Sequence, residues 1–235
     1  MKKIIFLFIS AIFILIYFSK VDNSLTIEDK KYIGYFLKDI KPLDKNRTIN
    51  DELLFIKAVQ DSVLNNSYRD KEIPKFLTRE PKDIFISKTG ICFDRSRVIE
   101  KILRNSGFKT RHISIYSTQK TGSAIRLLLT PGISSHAVTE VLTSRGWLVV
   151  DSNKRWIAVD KDKNILSIKD IFLHLDKDTQ IKWIVEAPSI YNRKFIYIYG
   201  LYSRHGNFYP PYNYIPDIEW SEFTFNFREI FNDGI

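Results

Sequence analysis

A polar loop turns into an amphipathic helix at Gly90-Ile91-Cys92-Phe93-Asp94-Arg95-Ser96, and this stretch holds the single cysteine of a 235-residue chain. The start of a helix presents unpaired N–H groups and the positive end of the helix dipole, and both stabilise an anion. A lone cysteine is often just a small buried apolar residue. At a predicted helix start, with Asp94 serving the helix dipole, Cys92 is better interpreted as a thiolate nucleophile.

Two later segments supply a base and a residue to orient it. His136 begins the apolar run Ser-Ser-His-Ala-Val-Thr-Glu-Val, and Asp151 ends the run Gly-Trp-Leu-Val-Val-Asp. Ser144-Arg145-Gly146 between the runs predicts a hairpin turn, which places both side chains at the same end of neighbouring strands. Asp160 is a rival orienter, but Asp151 lies one hairpin from His136 and is favoured. Glu140 shares the face of His136 but lies too far along the strand to reach Cys92.

This arrangement resembles the transglutaminase-like superfamily over residues 85–155. The shared pattern is a cysteine that opens a helix ending at a glycine, then a strand, then a histidine and an aspartate on the next two strands. The matching segments are Gly90 to Ser96, the helix to Gly107, Arg111-His112-Ile113, His136-Ala137-Val138, and Trp147 to Asp151. The resemblance implies an α+β, papain-like fold in which the cysteine helix packs on an antiparallel sheet. It also implies a catalytic triad of Cys92, His136 and Asp151.

The resemblance further implies an enzyme, either a cysteine protease or amidase or a transglutaminase, that acts on amide bonds through a thioester and needs no cofactor. Hydrolysis is favoured over transamidation because water is always available. Two departures support a non-catalytic alternative, a binding or scaffold module of the cell envelope that uses its aromatic C-terminal part. Val138 stands where the family often has tryptophan, and no motif marks the oxyanion-hole donor. The candidate donors are Gln60, Asn65 and Tyr68.

Other classes of function are disfavoured. His112, His174 and His205 lack metal-ligand spacing with Cys92, so we expect no metal site. The net charge of +9 is spread along the chain, and no nucleic-acid-binding motif is present. A single cysteine cannot form an internal disulfide.

The N-terminus predicts export. An apolar run from Ile4 to Phe18 follows Lys2 and Lys3, as in a secretory signal, but no Ala-x-Ala pattern follows it. We therefore expect an uncleaved signal anchor that binds the membrane, with the domain in the periplasm or at the cell surface. The alternative is a cleaved signal and a secreted or periplasmic protein. The expected substrates are peptide or protein amides near the membrane, such as peptidoglycan peptides or glycan-linked envelope components.

The predicted organisation has four parts. They are the signal segment 1–20, a helical lead-in or stalk 21–50, the transglutaminase-like domain 51–190, and an aromatic-rich extension 191–235 packed on the domain. Helices are predicted at Ser24–Lys38, at Ile49–Leu64 with Asn50 as N-cap, and from Cys92 to Gly107. Strands are predicted at Arg111–Ser117, Ile125–Thr130, His136–Thr143 and Trp147–Asp151, and around Phe223, Phe225 and Phe227, which alternate with polar residues.

Overall fold

One long helix packs against an antiparallel sheet at the centre of the molecule. The computed structural model describes residue 10 and residues 12–14, 16–73, 77–122, 126–127, 130, 132–202 and 217–232. The helices are α1 (Ile27–Phe36), α2 (Ile49–Asn66), α3 (Pro81–Ser87), α4 (Cys92–Asn105), α5 (Ile168–Asp176) and α6 (Trp220–Asn232), with a 3₁₀ turn at Ser189–Asn192. The strands are β1 (Lys109–Ser117), β2 (Ser135–Thr143), β3 (Gly146–Val150), β4 (Phe195–Tyr199), β5 (Leu201–Tyr202) and β6 (Asp217–Ile218). This mixture of helices and antiparallel sheet confirms the predicted α+β class.

The central sheet has the order β3-β2-β1-β4, with every neighbouring pair antiparallel. Its apolar residues share one core with α2 and α4, in which Val98, Ile99 and Ile102 are fully buried. Gly107, at φ +86°, ends the turn after α4 in a conformation that favours glycine. β2 and β3 form the predicted hairpin, so His136, the second residue of β2, lies at the same end of the hairpin as the end of β3.

The N-terminal helices begin at threonine caps. The Thr48 hydroxyl accepts a hydrogen bond from the Asp51 N–H, and the Asp51 carboxylate accepts one from the Thr48 N–H. This reciprocal pair stabilises the first turn of α2, so Thr48 is the cap and the prediction of Asn50 was wrong. Asn50 lies one residue inside the helix.

The predicted strand at Ile125–Thr130 is not supported at the residues that the structure describes there. Arg126 and Leu127 are helical, while the other apolar positions of that segment lie outside the described residues. β1 pairs with β2 on one side and with β4 on the other, so neither edge of β1 is left for another strand.

The predicted strand at Phe223 to Phe227 was also wrong, because these residues lie in α6. The Glu219 carboxylate accepts a hydrogen bond from the Glu222 N–H at 2.6 Å and thereby caps the first turn. Phe223 and Phe227 stand four residues apart, which suits one side of a helix, and their rings contact each other. Asn226 then ties the helix to the edge of β4 through both backbone groups of Tyr199.

The lead-in 21–50 packs directly on the domain rather than standing apart as a stalk. Ile33 and Phe36 of α1 are buried in the main core. Lys101 of α4 forms a buried ion pair with Asp29 of α1 at 3.0 Å. The Val21 N–H donates to the Ile218 carbonyl, which joins the two ends of the described chain.

Most of the predicted signal segment lies outside the described residues. At residues 12–14 and 16–19 the backbone is helical, and several large apolar side chains there are exposed. Within the part of the chain that the structure describes, no helix is both long enough and apolar enough to cross a membrane.

Candidate active site

Cys92 is the first residue of α4, as the sequence predicts, and its side chain is half-buried. The residue before it, Ile91, offers no side-chain cap to the helix. The Ile91 N–H instead donates to the Asp94 carboxylate at 3.1 Å, which fixes the turn leading into the cysteine. Phe93, Tyr116 and Ala137 form part of an apolar cluster against which Cys92 packs.

A buried ion pair anchors the same turn. The Asp94 side chain is fully buried and contacts Arg79 at 2.8 Å. Arg79 also pairs with Glu72 at 3.0 Å, and its guanidinium lies 4.5 Å from the centre of the Phe93 ring. Burial raises the pKa of Asp94 by more than Arg79 lowers it. Asp94 therefore does more than serve the helix dipole, because it ties the segment around Arg79 to the start of α4.

His136 joins Cys92 to Asp151. Its Nε2 lies 2.7 Å from Asp151 Oδ2, and Cys92 is close enough to the imidazole to raise its pKa. Because Nε2 is taken by the carboxylate, Nδ1 is the nitrogen left to face the sulfur. The structure thus brings together the three residues that the sequence singles out.

Asp151 is fully buried and accepts hydrogen bonds at both of its oxygens. Its Oδ1 accepts from the N–H groups of Asn153 and Lys154, each at 2.7 Å. Its Oδ2 accepts from His136 and from the Tyr191 hydroxyl, the latter at 2.8 Å. Four donors therefore hold the carboxylate in one orientation towards the imidazole.

These contacts set the charges of the pair. Burial on its own lowers the pKa of His136, but Asp151 and Cys92 outweigh it and raise the value to about 10. Burial raises the pKa of Asp151, yet His136 and the other hydrogen bonds bring it below its usual range. At neutral pH the imidazole is therefore protonated, and Cys92 is one of the groups that raise its pKa.

The rival residues lie elsewhere. Asp160 accepts hydrogen bonds from Asn164 in a surface turn. Glu140 is buried in an ion pair with Arg111 at 2.6 Å. His112 is buried beside Ser96, and burial lowers its pKa to about 3. His174 bonds Thr179, His205 lies outside the described residues, and the residues that the structure describes contain no cluster suited to a metal ion.

The candidate oxyanion donors serve other contacts. Gln60 is fully buried, and its side-chain amide donates to the carbonyls of Asp151, Lys154 and Trp156. Gln60 thus clamps the turn that carries Asp151. The Asn65 side chain accepts from Arg155, and Tyr68 is 63% exposed. Among the residues that the structure describes, the contacts of Gln60 and Asn65 lead to the Asp151 turn and to Arg155, not to Cys92. Val138 is a fully buried core residue.

Sequence reasoning missed Tyr191 as a member of this site. The sequence predicts that the aromatic residues of 191–235 form an extension that packs on the domain. In the structure, Phe195–Tyr199 is instead the fourth strand of the central sheet, and Tyr191 contacts Asp151. One aromatic residue among many carries no signal of its own, since its partner is 40 residues away along the chain.

Comparison with known families matches residues 43–160 to the core model of the transglutaminase-like superfamily. The match spans helices α2 to α4 and strands β1 to β3, and it includes Cys92, His136 and Asp151. No curated protein matches the sequence.

Proposed function

Because this chain belongs to the transglutaminase-like superfamily, we propose that it is a cysteine-dependent acyl-transfer enzyme that acts on amide bonds through a thioester at Cys92. The superfamily includes cysteine proteases and transglutaminases. The observation that carries the proposal is the 2.7 Å hydrogen bond of His136 to the buried Asp151, with Cys92 close enough to raise the pKa of the same imidazole. A nucleophile, a base and a group that orients the base are the parts that this chemistry requires.

In the first half-reaction the Cys92 sulfur attacks the carbonyl carbon of an amide, and a carbon–sulfur bond forms. The carbonyl oxygen becomes an oxyanion near the start of α4, where backbone N–H groups and the helix dipole favour negative charge. The protonated His136 then gives its proton to the amide nitrogen, the carbon–nitrogen bond breaks, and an amine leaves. The product of this half-reaction is a thioester on Cys92.

The second half-reaction resolves the thioester. His136 removes a proton from an incoming nucleophile, which attacks the thioester carbon and releases the Cys92 thiolate. Water as the nucleophile yields an acid, and an amine yields a new amide. We favour water, since water is always present, whereas an amine nucleophile would need a dedicated binding site.

The first test measures turnover with a glutamine-containing peptide and a labelled primary amine. We expect ammonia release with conversion of glutamine to glutamate, and little incorporation of the amine. Cys92→Ser should lower turnover by about three orders of magnitude, because it removes the nucleophile while the packing is kept. Efficient amine incorporation that depends on Cys92 would support transamidation instead of hydrolysis.

A second experiment searches for the natural acyl donor. Wild-type protein mixed with cell-envelope extract is quenched in acid, and its intact mass is measured for an adduct on Cys92, with Cys92→Ser as the control. If neither peptide turnover nor an adduct depends on Cys92, the acyl-transfer proposal fails. A Cys92→Ser strain that behaves like wild type would then favour the binding or scaffold role.

We also propose that the substrate is an envelope peptide or protein near the membrane, because the apolar run Ile4 to Phe18 is of the kind that directs export. The full-length protein is expected in the membrane pellet after a high-salt wash, with an intact mass that includes Met1 or Lys2. Release as a soluble species that begins near residue 20 would mean a cleaved signal and a diffusing enzyme.

A further inference from the structure

A phenol from outside the matched residues 43–160 reaches the His136–Asp151 pair. Tyr191 lies in the 3₁₀ turn Ser189–Asn192, is 1% exposed, and donates its hydroxyl proton to Asp151 Oδ2 at 2.8 Å. The same oxygen accepts the hydrogen bond of His136 Nε2 at 2.7 Å. Two donors therefore share one carboxylate oxygen.

The Tyr191 ring is held by aromatic packing. It stacks on Trp156 with the ring centres 4.5 Å apart, and it meets the edge of His136 at 6.3 Å. The Trp156 carbonyl in turn accepts a hydrogen bond from the Gln60 clamp. The hydroxyl is thus fixed in place by contacts from two other parts of the chain, which is how a precise hydrogen bond to a reacting pair is maintained.

We propose that Tyr191 is a positioning residue that fixes Asp151 and limits how tightly Asp151 holds the proton on His136. The hydroxyl competes with the imidazole for Oδ2, so it stabilises the carboxylate most when His136 is neutral. The catalytic consequence, which rests on the proposed function, is that His136 releases its proton to the leaving amine more readily than it would beside Asp151 alone.

The surroundings of His136 support this role. Among the described residues, the titratable groups that face His136 are Cys92 from α4, Asp151 after β3 and Tyr191 from the 3₁₀ turn. Burial and the charge of Asp151 raise the pKa of Tyr191 well above its ordinary value, so the phenol remains a donor throughout the working range. Asp151 keeps two backbone donors at Oδ1, so removal of the Tyr191 hydroxyl leaves the carboxylate in place.

The test is an NMR titration of the His136 ring in the wild type and in Tyr191→Phe, with the signal assigned by its loss in His136→Ala. Tyr191→Phe removes only the hydroxyl. We expect the His136 titration midpoint to rise by about half a unit to one unit. This is less than the roughly one to two units that a full hydrogen bond to a charged group would give, because the hydroxyl bonds Asp151 in both protonation states of His136. A midpoint unchanged in Tyr191→Phe would show that the ring only fills space and would overturn the proposal.

Two controls separate this effect from a loss of stability. Tyr199→Phe removes another buried phenol oxygen, which accepts from Arg111 at 3.1 Å, and should leave the His136 midpoint unchanged. Asp151→Asn should move the midpoint down, in the opposite direction. The NMR readout does not need turnover, so the two proposals can fail separately. If the His136 midpoint shifts in Tyr191→Phe but Cys92 forms no thioester, Tyr191 is a positioning residue and the proposed enzyme function is wrong. If the protein turns over substrate but the midpoint does not shift, the enzyme function stands and the role of Tyr191 is wrong.

Discussion

Replacing His136 with alanine should slow the alkylation of Cys92 by iodoacetamide about tenfold at pH 6, and should have little effect at pH 9.5. A thiol of ordinary pKa is only about 0.3% ionised at pH 6. A protonated imidazole next to a sulfur stabilises the anion, so its loss should slow alkylation most at low pH. Part of that advantage is offset, because a stabilised thiolate is intrinsically less nucleophilic. The ratio of wild-type to variant rates, followed by mass spectrometry across this pH range, is the measurement.

His174→Ala is the matched control, because His174 makes an exposed contact with Thr179 and none with Cys92 or Asp151, and the pH profile of this variant should follow the wild type.

The His136–Asp151 pair also couples stability to pH. Since the pKa of His136 rises from 6.5 to about 10 on folding, the protonated imidazole stabilises the fold fully below pH 6.5, and this contribution is lost as pH rises through 10. Equal alkylation rates for wild type and His136→Ala at pH 6 would remove His136 from the proposed triad.

Replacing Arg79 with methionine should lower the free energy of unfolding by about 3 kcal/mol at pH 8, because it leaves a buried carboxylate without its ion-pair partner. Asp94 is fully buried and contacts Arg79 at 2.8 Å. The loss should be smaller at pH 5. Burial already raises the pKa of Asp94, and without Arg79 the carboxyl can take up a proton and become neutral.

Urea denaturation at the two pH values measures this effect. Lys82→Met is the control, because Lys82 pairs with Glu28 at 2.8 Å on the exposed surface, where ion pairs contribute little. No measurable change is expected for it. If Arg79→Met and Lys82→Met have the same stability, or if the loss caused by Arg79→Met does not depend on pH, the Arg79–Asp94 pair is not the anchor of the cysteine turn.

The local features of the site could be predicted from the sequence. Cys92 opens a helix because an amphipathic pattern begins there and a glycine follows its end, and helix patterns are properties of neighbouring residues. His136 and Asp151 meet because a short turn fixes the register of two adjacent strands. The family match confirms the predicted superfamily and the α+β class.

Where two local patterns compete, the sequence leaves the outcome open. The spacing of Phe223, Phe225 and Phe227 fits a strand on every second residue, yet Phe223 and Phe227 also fit one side of a helix. The Glu219 cap and the hydrogen bonds of Asn226 to β4 favour the helix. The hydrogen bonds of Asn226 to β4 can form only once the sheet has formed.

The sequence by itself determined which cysteine, histidine and aspartate form the candidate site, because each is marked by a helix start or a hairpin. Only the tertiary structure decided what holds them. Gln60 clamps the Asp151 turn, Arg79 anchors the cysteine turn, and Tyr191 shares Asp151 Oδ2 with His136. These contacts join residues that are 15 to 91 positions apart. A pair that meets only through packing leaves no periodic pattern along the chain, since its partners are set by the geometry of the folded core.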